Sequence, residues 1–250
     1  ALVLGARAAY LGAFLFGLTL ALRLVHFQRL PFTSVADTLM LLLIAASSAM
    51  AVVLRREERR GLVLFYLPPL AALALMGGWF GIQDLPESPR ELTAVLLVIH
   101  VGLAFLAYAL SLVVCLTGMA YIFQVQQLKQ RQTRGLFQRL PSLEQLDHAL
   151  YGLISAGYLA FAISLGAGFF WVWFSSELLA PYWWVSPKIL ISVGMIGLYA
   201  ASYHARALGW LRGPKLAYLM VGGFGSLLSV YLVLELLNVT NYNFFEGGLG

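Results

Sequence analysis

Four histidines, His26, His100, His148 and His204, are the side chains in this sequence best suited to chemistry. There is one cysteine, Cys115, so the chain can form no internal disulfide and has no Cys-x-x-Cys for a metal or for covalent haem attachment. No nucleophile stands in a pattern with a base. Two acids fall in apolar runs, Asp37 at the start of one and Glu235 late in another. An ionisable group inside such a run is costly to hold and is a functional candidate by default. A transition-metal site would want several His or carboxylate ligands at close spacing, and none is present. The chemistry that isolated histidines support best is ligation of haem iron by neutral imidazole.

The elements that must position these histidines are apolar. The chain of 250 residues is 61% hydrophobic and 11% charged, against about 25% charged in soluble domains. Its mean hydropathy is +0.84. This composition reads as membrane-embedded. A bilayer core takes roughly 20 helical residues, and about seven runs are long enough, near 6–26, 35–54, 60–80, 92–124, 148–174, 188–209 and 216–240. The fold class expected is all-α: a polytopic transmembrane helix bundle forming a single integral membrane domain over 1–250. The third run holds Pro68 and Pro69, where a kink is expected. Basic residues gather in alternate loops: Arg55, Arg56, Arg59 and Arg60; Lys129, Arg131, Arg134 and Arg139; Arg206, Arg212 and Lys215. With Arg7, these put the N-terminus inside and the C-terminus outside by the positive-inside rule.

The linker near 125–147 is then cytoplasmic. It reads as a solvated, membrane-grazing linker, the alternative being a short interfacial helix ending near Pro141, with Ser142-Leu-Glu-Gln opening the next helix. The loop near 175–188, with Tyr182-Trp183-Trp184 and closing at Pro187-Lys188, faces outward. Its rings fit an aromatic belt at the interface as well as a binding surface. Gly77-Gly78 and Gly222-Gly223-Phe224-Gly225 lie within or at the ends of spans, where small residues serve helix packing. No nucleotide or nucleic-acid site is visible.

Depth decides which histidines can cooperate. His100 lies eight residues into the fourth run, roughly 12 Å from the outer side, and His204 lies sixteen residues past Lys188, roughly 24 Å from it. Two axial ligands of one iron must each approach to about 2 Å, so this spacing disfavours a His100–His204 pair. His26, at the outer end of the first run, is nearer to His100 in depth, and a His26–His100 pair is geometrically allowed. His148 starts the fifth run at the cytoplasmic interface. For each histidine a packed, hydrogen-bonded or interfacial role stands beside the ligand role.

Several short stretches, in order along the chain, resemble the CcsA/HemX-like cytochrome c assembly proteins of the haem-handling superfamily. Arg23 with Leu30-Pro-Phe-Thr-Ser-Val-Ala-Asp37-Thr-Leu is similar to that family's first outer segment, and Ile99-His100-Val101…Ala107-Tyr108-Ala109 to its Ile-His-Val…Ser-Tyr-Ala helix. Leu146-Asp147-His148-Ala149-Leu150-Tyr151 resembles Leu-Asp-Asn-Leu-Ser-Tyr. Tyr182-Trp183…Pro187-Lys188 falls on the end of the Trp-rich loop, Tyr203-His204-Ala205-Arg206 on Leu-His-Thr-Arg, and Gly209-Trp210…Lys215-Leu-Ala-Tyr218 on the following Gly-Trp…Ala-Tyr.

The resemblance implies a haem-handling protein of cytochrome c maturation in the bacterial inner membrane, presenting haem, of the b type, at its outer face to an apocytochrome c. It implies cofactor contacts from His100, His204, Trp183, Tyr182 and His26, with His100 and His204 as the iron ligands. It assigns no catalytic residue, so the chain is at most part of a haem-attachment system. The motif is degenerate: Leu179, Val185 and Ser186 stand where the family has Trp, Trp and Asp, Arg29 stands for a His, and Asn241-Tyr-Asn-Phe244 offers no second outward histidine. The alternative that these departures raise is a non-catalytic relative, serving as an integral subunit of a respiratory or photosynthetic complex or as a HemX-type effector of haem synthesis. The partners expected are haem, the lipid bilayer, and an apocytochrome or other membrane subunits.

Overall fold

The computed structural model of the chain describes residues 2–27, 35–79, 93–131, 135, 137–174 and 187–236. Among these residues there are seven α-helices and no strand: α1 (Leu2–Phe27), α2 (Val35–Val53), α3 (Val63–Trp79), α4 (Thr93–Lys129), α5 (Leu143–Phe174), α6 (Pro187–Ala207) and α7 (Pro214–Leu236). Two of them, in α4 and α5, are long and apolar enough to cross a membrane, over Val98–Lys129 and Leu143–Phe174.

α4 is the central element. It packs on α5, α7, α2 and α3, while α5 and α7 also hold α6, and α1 lies against α2 and α3. The reason is written along α4, whose buried positions include the small residues Ala107, Ala109, Ser111 and Ala120. Small side chains let helix backbones approach closely where lipid offers no hydrophobic drive between helices. At Gly118 a Cβ would stand 2.8 Å from Val221 Cγ2 and 3.4 Å from the Ala217 main-chain oxygen, both on α7. Tyr66 on α3 seals the same core by pairing its hydroxyl with Thr117 at 2.7 Å. Large apolar side chains meanwhile remain exposed on the outside, among them Phe14, Leu75, Leu159, Phe169 and Trp173. An apolar exterior of this breadth suits a hydrocarbon solvent.

The helix ends carry local signals. Ser142 and Gln145 cap α5 reciprocally: Ser142 N–H donates to Gln145 Oε1 at 2.9 Å, and Gln145 N–H to Ser142 Oγ at 3.3 Å. Ser142→Ala should therefore cost about 1 kcal/mol, read as a lower unfolding midpoint in detergent. α6 opens on Pro187, whose missing N–H costs nothing in the first turn. It closes with Gly209 at φ +77°, as Trp210 N–H reaches Ala205 O at 2.8 Å and Gly209 N–H reaches Arg206 O at 3.0 Å.

The linker differs from its expected form. α4 continues through the polar Gln124–Lys129 stretch, and the only regular structure described between Lys129 and Leu143 is a 3₁₀ turn, Phe137–Arg139. The extra length comes from packing: Gln124 is buried, and its side-chain amide donates to Pro141 O at 3.3 Å. At about 1.5 Å per residue, α4 is roughly 55 Å long, well beyond a hydrocarbon core of about 30 Å. The basic connections meet at this end of the bundle. Gly61, in the 3₁₀ turn Glu57–Leu62, packs on the Arg139 backbone, and Gly213 N–H donates to Asp147 Oδ1 at 3.3 Å.

Candidate haem-ligand site

His100 is held on α4 against α5, half-buried. Its Nδ1 lies 2.7 Å from the main-chain oxygen of Ser164. A carbonyl only accepts, so Nδ1 carries the proton and donates it. In the neutral ring, the other nitrogen, Nε2, then keeps its lone pair. A metal-ligating histidine commonly has its second nitrogen fixed by a carbonyl in this way. Ser164 makes a second tie, its hydroxyl donating to His100 O at 2.9 Å. The ring rests on Gly168: a Cβ there would stand 2.6 Å from both Cε1 and Nδ1.

His204 lies at another level. It sits in the last turn of α6 and is exposed. Its ring meets Tyr158 edge-on at 5.8 Å and Tyr203 at 5.3 Å. Along α5, Tyr158 is six residues from Ser164, a rise of roughly 9 Å. The two histidines therefore contact α5 at different heights, in line with the depth argument from sequence, and the structure does not bring them together.

Around His204 runs an aromatic seam that sequence reasoning did not single out. Tyr203 stacks on Tyr151 at 5.9 Å and on Tyr158 at 5.4 Å. Arg206 lies over the Tyr151 ring at 5.5 Å and pairs with Asp147. Further along, Tyr199 packs on Phe161 at 5.3 Å, and Phe161 on Tyr108 at 5.4 Å. The only signal in the sequence was tyrosine at heptad spacing, Tyr151 and Tyr158, opposite Tyr199 and Tyr203. This seam and the Asp147–Arg206 pair bind α5 to α6 and fix the height of His204.

The other sequence candidates are less informative. His148 is exposed in the second turn of α5, and Cys115 is half-buried in α4. His26 falls at the end of α1; its side chain, like Tyr182 and Trp183, lies outside the described residues. Among the described residues no group of three or more His, Cys, Asp or Glu is placed to hold a bare metal ion.

Residues 6–240 match the family described as cytochrome C assembly protein. Individual relatives are more distant. Protein HemX of Brevibacillus brevis is 33% identical over 128 residues, covering 49% of this chain and 46% of the relative. Protein HemX of Bacillus subtilis is 29% identical over 144 residues, covering 58% and 51%. The cytochrome c biogenesis protein CcsA of Synechococcus sp. is 25% identical over 197 residues, covering 68% and 62%. The chain thus spans about half the length of the HemX relatives it matches. No solved structure matches it.

Proposed function

The chain belongs to the cytochrome c assembly protein family, and on that premise we propose that it is a haem-handling membrane protein of cytochrome c maturation, holding haem toward its outer face. The observation that carries this reading is the bond from His100 Nδ1 to Ser164 O. It orients the ring and gives Nδ1 a proton acceptor, which in the neutral imidazole leaves Nε2 free to serve as an iron ligand. His100 lies in the second turn of α4, at the end of the bundle opposite the arginine-rich connections. With those arginines cytoplasmic, that end is the outer one. All seven helices then serve as spans in the bacterial inner membrane.

The group proposed is haem of the b type, and the residues present offer its iron one well-oriented imidazole. His100 would hold the iron, and His204 would mark a second, deeper station on α6, beside Tyr158 and Tyr203. Tyr182, Trp183 and His26 would supply the remaining outer contacts. When bound, the haem would contribute the iron and the vinyl groups that an apocytochrome's cysteines require. The chain's own part is to hold, orient and shield it.

A second reading is favoured by a specific feature, the altered Trp-rich loop with Leu179, Val185 and Ser186. In it the chain is a HemX-like relative, kept as a subunit of a larger membrane complex or as an effector of haem synthesis. Genetic complementation separates the two. In cells that lack the endogenous protein, the wild-type gene should restore covalently haem-loaded cytochrome c, and His100→Ala should restore less than about 10% of it. Full restoration by His100→Ala would remove His100 from that role, and failure of the wild-type gene to restore cytochrome c would defeat the maturation reading.

A further inference from the structure

We infer that Ser164 and Gly168 are positioning residues that set the His100 proton on Nδ1 and keep Nε2 bare before any ligand arrives. The inference deepens the haem-ligand reading and rests on it only for the identity of the ligand. The two residues are four apart on α5 and share one face of the helix. Each supplies a different half of the seat. The Ser164 carbonyl accepts the Nδ1 proton at 2.7 Å; it has two lone pairs and can take a second donor while serving its own helix. Gly168 supplies clearance, since a Cβ would stand 2.6 Å from Nδ1 and Cε1 and 3.3 Å from Cγ. The ring cannot keep its place over any side chain at 168.

The Ser164 hydroxyl has a separate task. It donates to the His100 carbonyl at 2.9 Å, while its distance to Nδ1 is 3.4 Å. The hydroxyl thus adds a side-chain tie from α5 to the α4 backbone, apart from the seat of the ring. The main-chain carbonyl, which no substitution at 164 removes, chooses the tautomer. That choice runs against the preference of free histidine, whose neutral ring in water favours the proton on Nε2. A ring left to that preference would present N–H to an iron atom. The seat removes the need for a proton to move when the ligand binds.

The test reads the proton directly. The full chain, labelled with 15N-histidine, is placed haem-free in lipid bilayers at mildly alkaline pH, and the His100 signals are identified by their loss in His100→Gln. The wild type should show a protonated Nδ1 and an unprotonated Nε2 at His100. Gly168→Ala should move His100 to the Nε2–H form. Gly166→Ala, whose Cβ meets nothing within 4 Å, should leave it unchanged, and so should Ser164→Ala, which keeps the carbonyl. The other three histidines report whether each variant is folded. An Nε2–H signal in the wild type, or an unmoved His100 signal in folded Gly168→Ala, would overturn the inference.

A flip in Ser164→Ala would also overturn it, by making the hydroxyl the partner of Nδ1. Added haem separates this question from the functional reading. Gly168→Ala should bind haem roughly 10- to 100-fold more weakly than wild type, and equal binding would overturn the positioning role. A wild type that shows the Nδ1–H form but takes up no haem would support the seat and sink the haem reading.

Discussion

Gly61→Ala should leave almost no folded protein. The added methyl would overlap the Arg139 carbonyl oxygen, stand 2.7 Å from its carbon and reach Leu140 Cα at 3.0 Å. All three atoms are backbone, so no side-chain rotation can clear them. Gly61 is buried, and so are its neighbours Leu62 and Leu140. Interiors of this density do not absorb a misplaced methyl without moving an element. Here the element is the 3₁₀ turn Glu57–Leu62, which joins α2 to α3 and packs against α5. The expected loss exceeds about 4 kcal/mol, at the far end of what single substitutions do. The check is the yield of monodisperse protein in detergent beside Gly152→Ala, a helical glycine with open space around its Cβ. Normal yield and an unchanged unfolding midpoint for Gly61→Ala would show that this close approach does not exist in the folded protein.

The contact at Gly61 also marks where sequence reading stops. Features that depend on neighbours in the chain were legible. Ser142 and Gln145 announced the start of α5, Pro187 the start of α6, and the arginine-rich segments 55–60 and 206–215 the shared end of the bundle. The seven apolar runs correspond to seven helices. What the sequence withheld is non-local. Nothing near residue 61 points to residue 139, and nothing near His100 points to Ser164 or Gly168, more than sixty positions away. Gly166 and Gly168 look alike in the sequence. One has open space above it and the other carries an imidazole ring.

The fourth run, near 92–124, is longer than a bilayer needs and so is expected to tilt or project into water; α4 runs on through the polar stretch to Lys129. Buried Gln124 and its bond to Pro141 tie this polar stretch to the linker. Tertiary contact overrode local composition, as it commonly does where a helix leaves one solvent for another. The depth argument held because it needed only the helical rise. It put His100 and His204 at different heights, and they contact α5 about two turns apart.

The second large effect expected is complete loss of haem from His100→Ala. On the proposed reading His100 is the outer ligand, its ring oriented by the bond from Nδ1 to the Ser164 carbonyl. Removing the imidazole takes away both the ligand and its alignment. His204→Ala is expected to act differently, because His204 is exposed and held only by the Tyr158 and Tyr203 rings. It should lower occupancy without erasing the outer site. The Tyr151–Tyr203 stack and the Asp147–Arg206 pair do not involve the His204 side chain. The helix pairing should therefore survive that change.

The measurement that tests the haem-handling assignment most directly is an absorption spectrum, oxidised and reduced, of the protein purified from its membrane, with His100→Ala and His204→Ala purified beside it. The expected result is a haem spectrum in the wild type with sharp reduced-state bands, absent from His100→Ala and weakened in His204→Ala. A wild type that is well folded and carries no haem, or a His100→Ala variant that carries as much as the wild type, would contradict it.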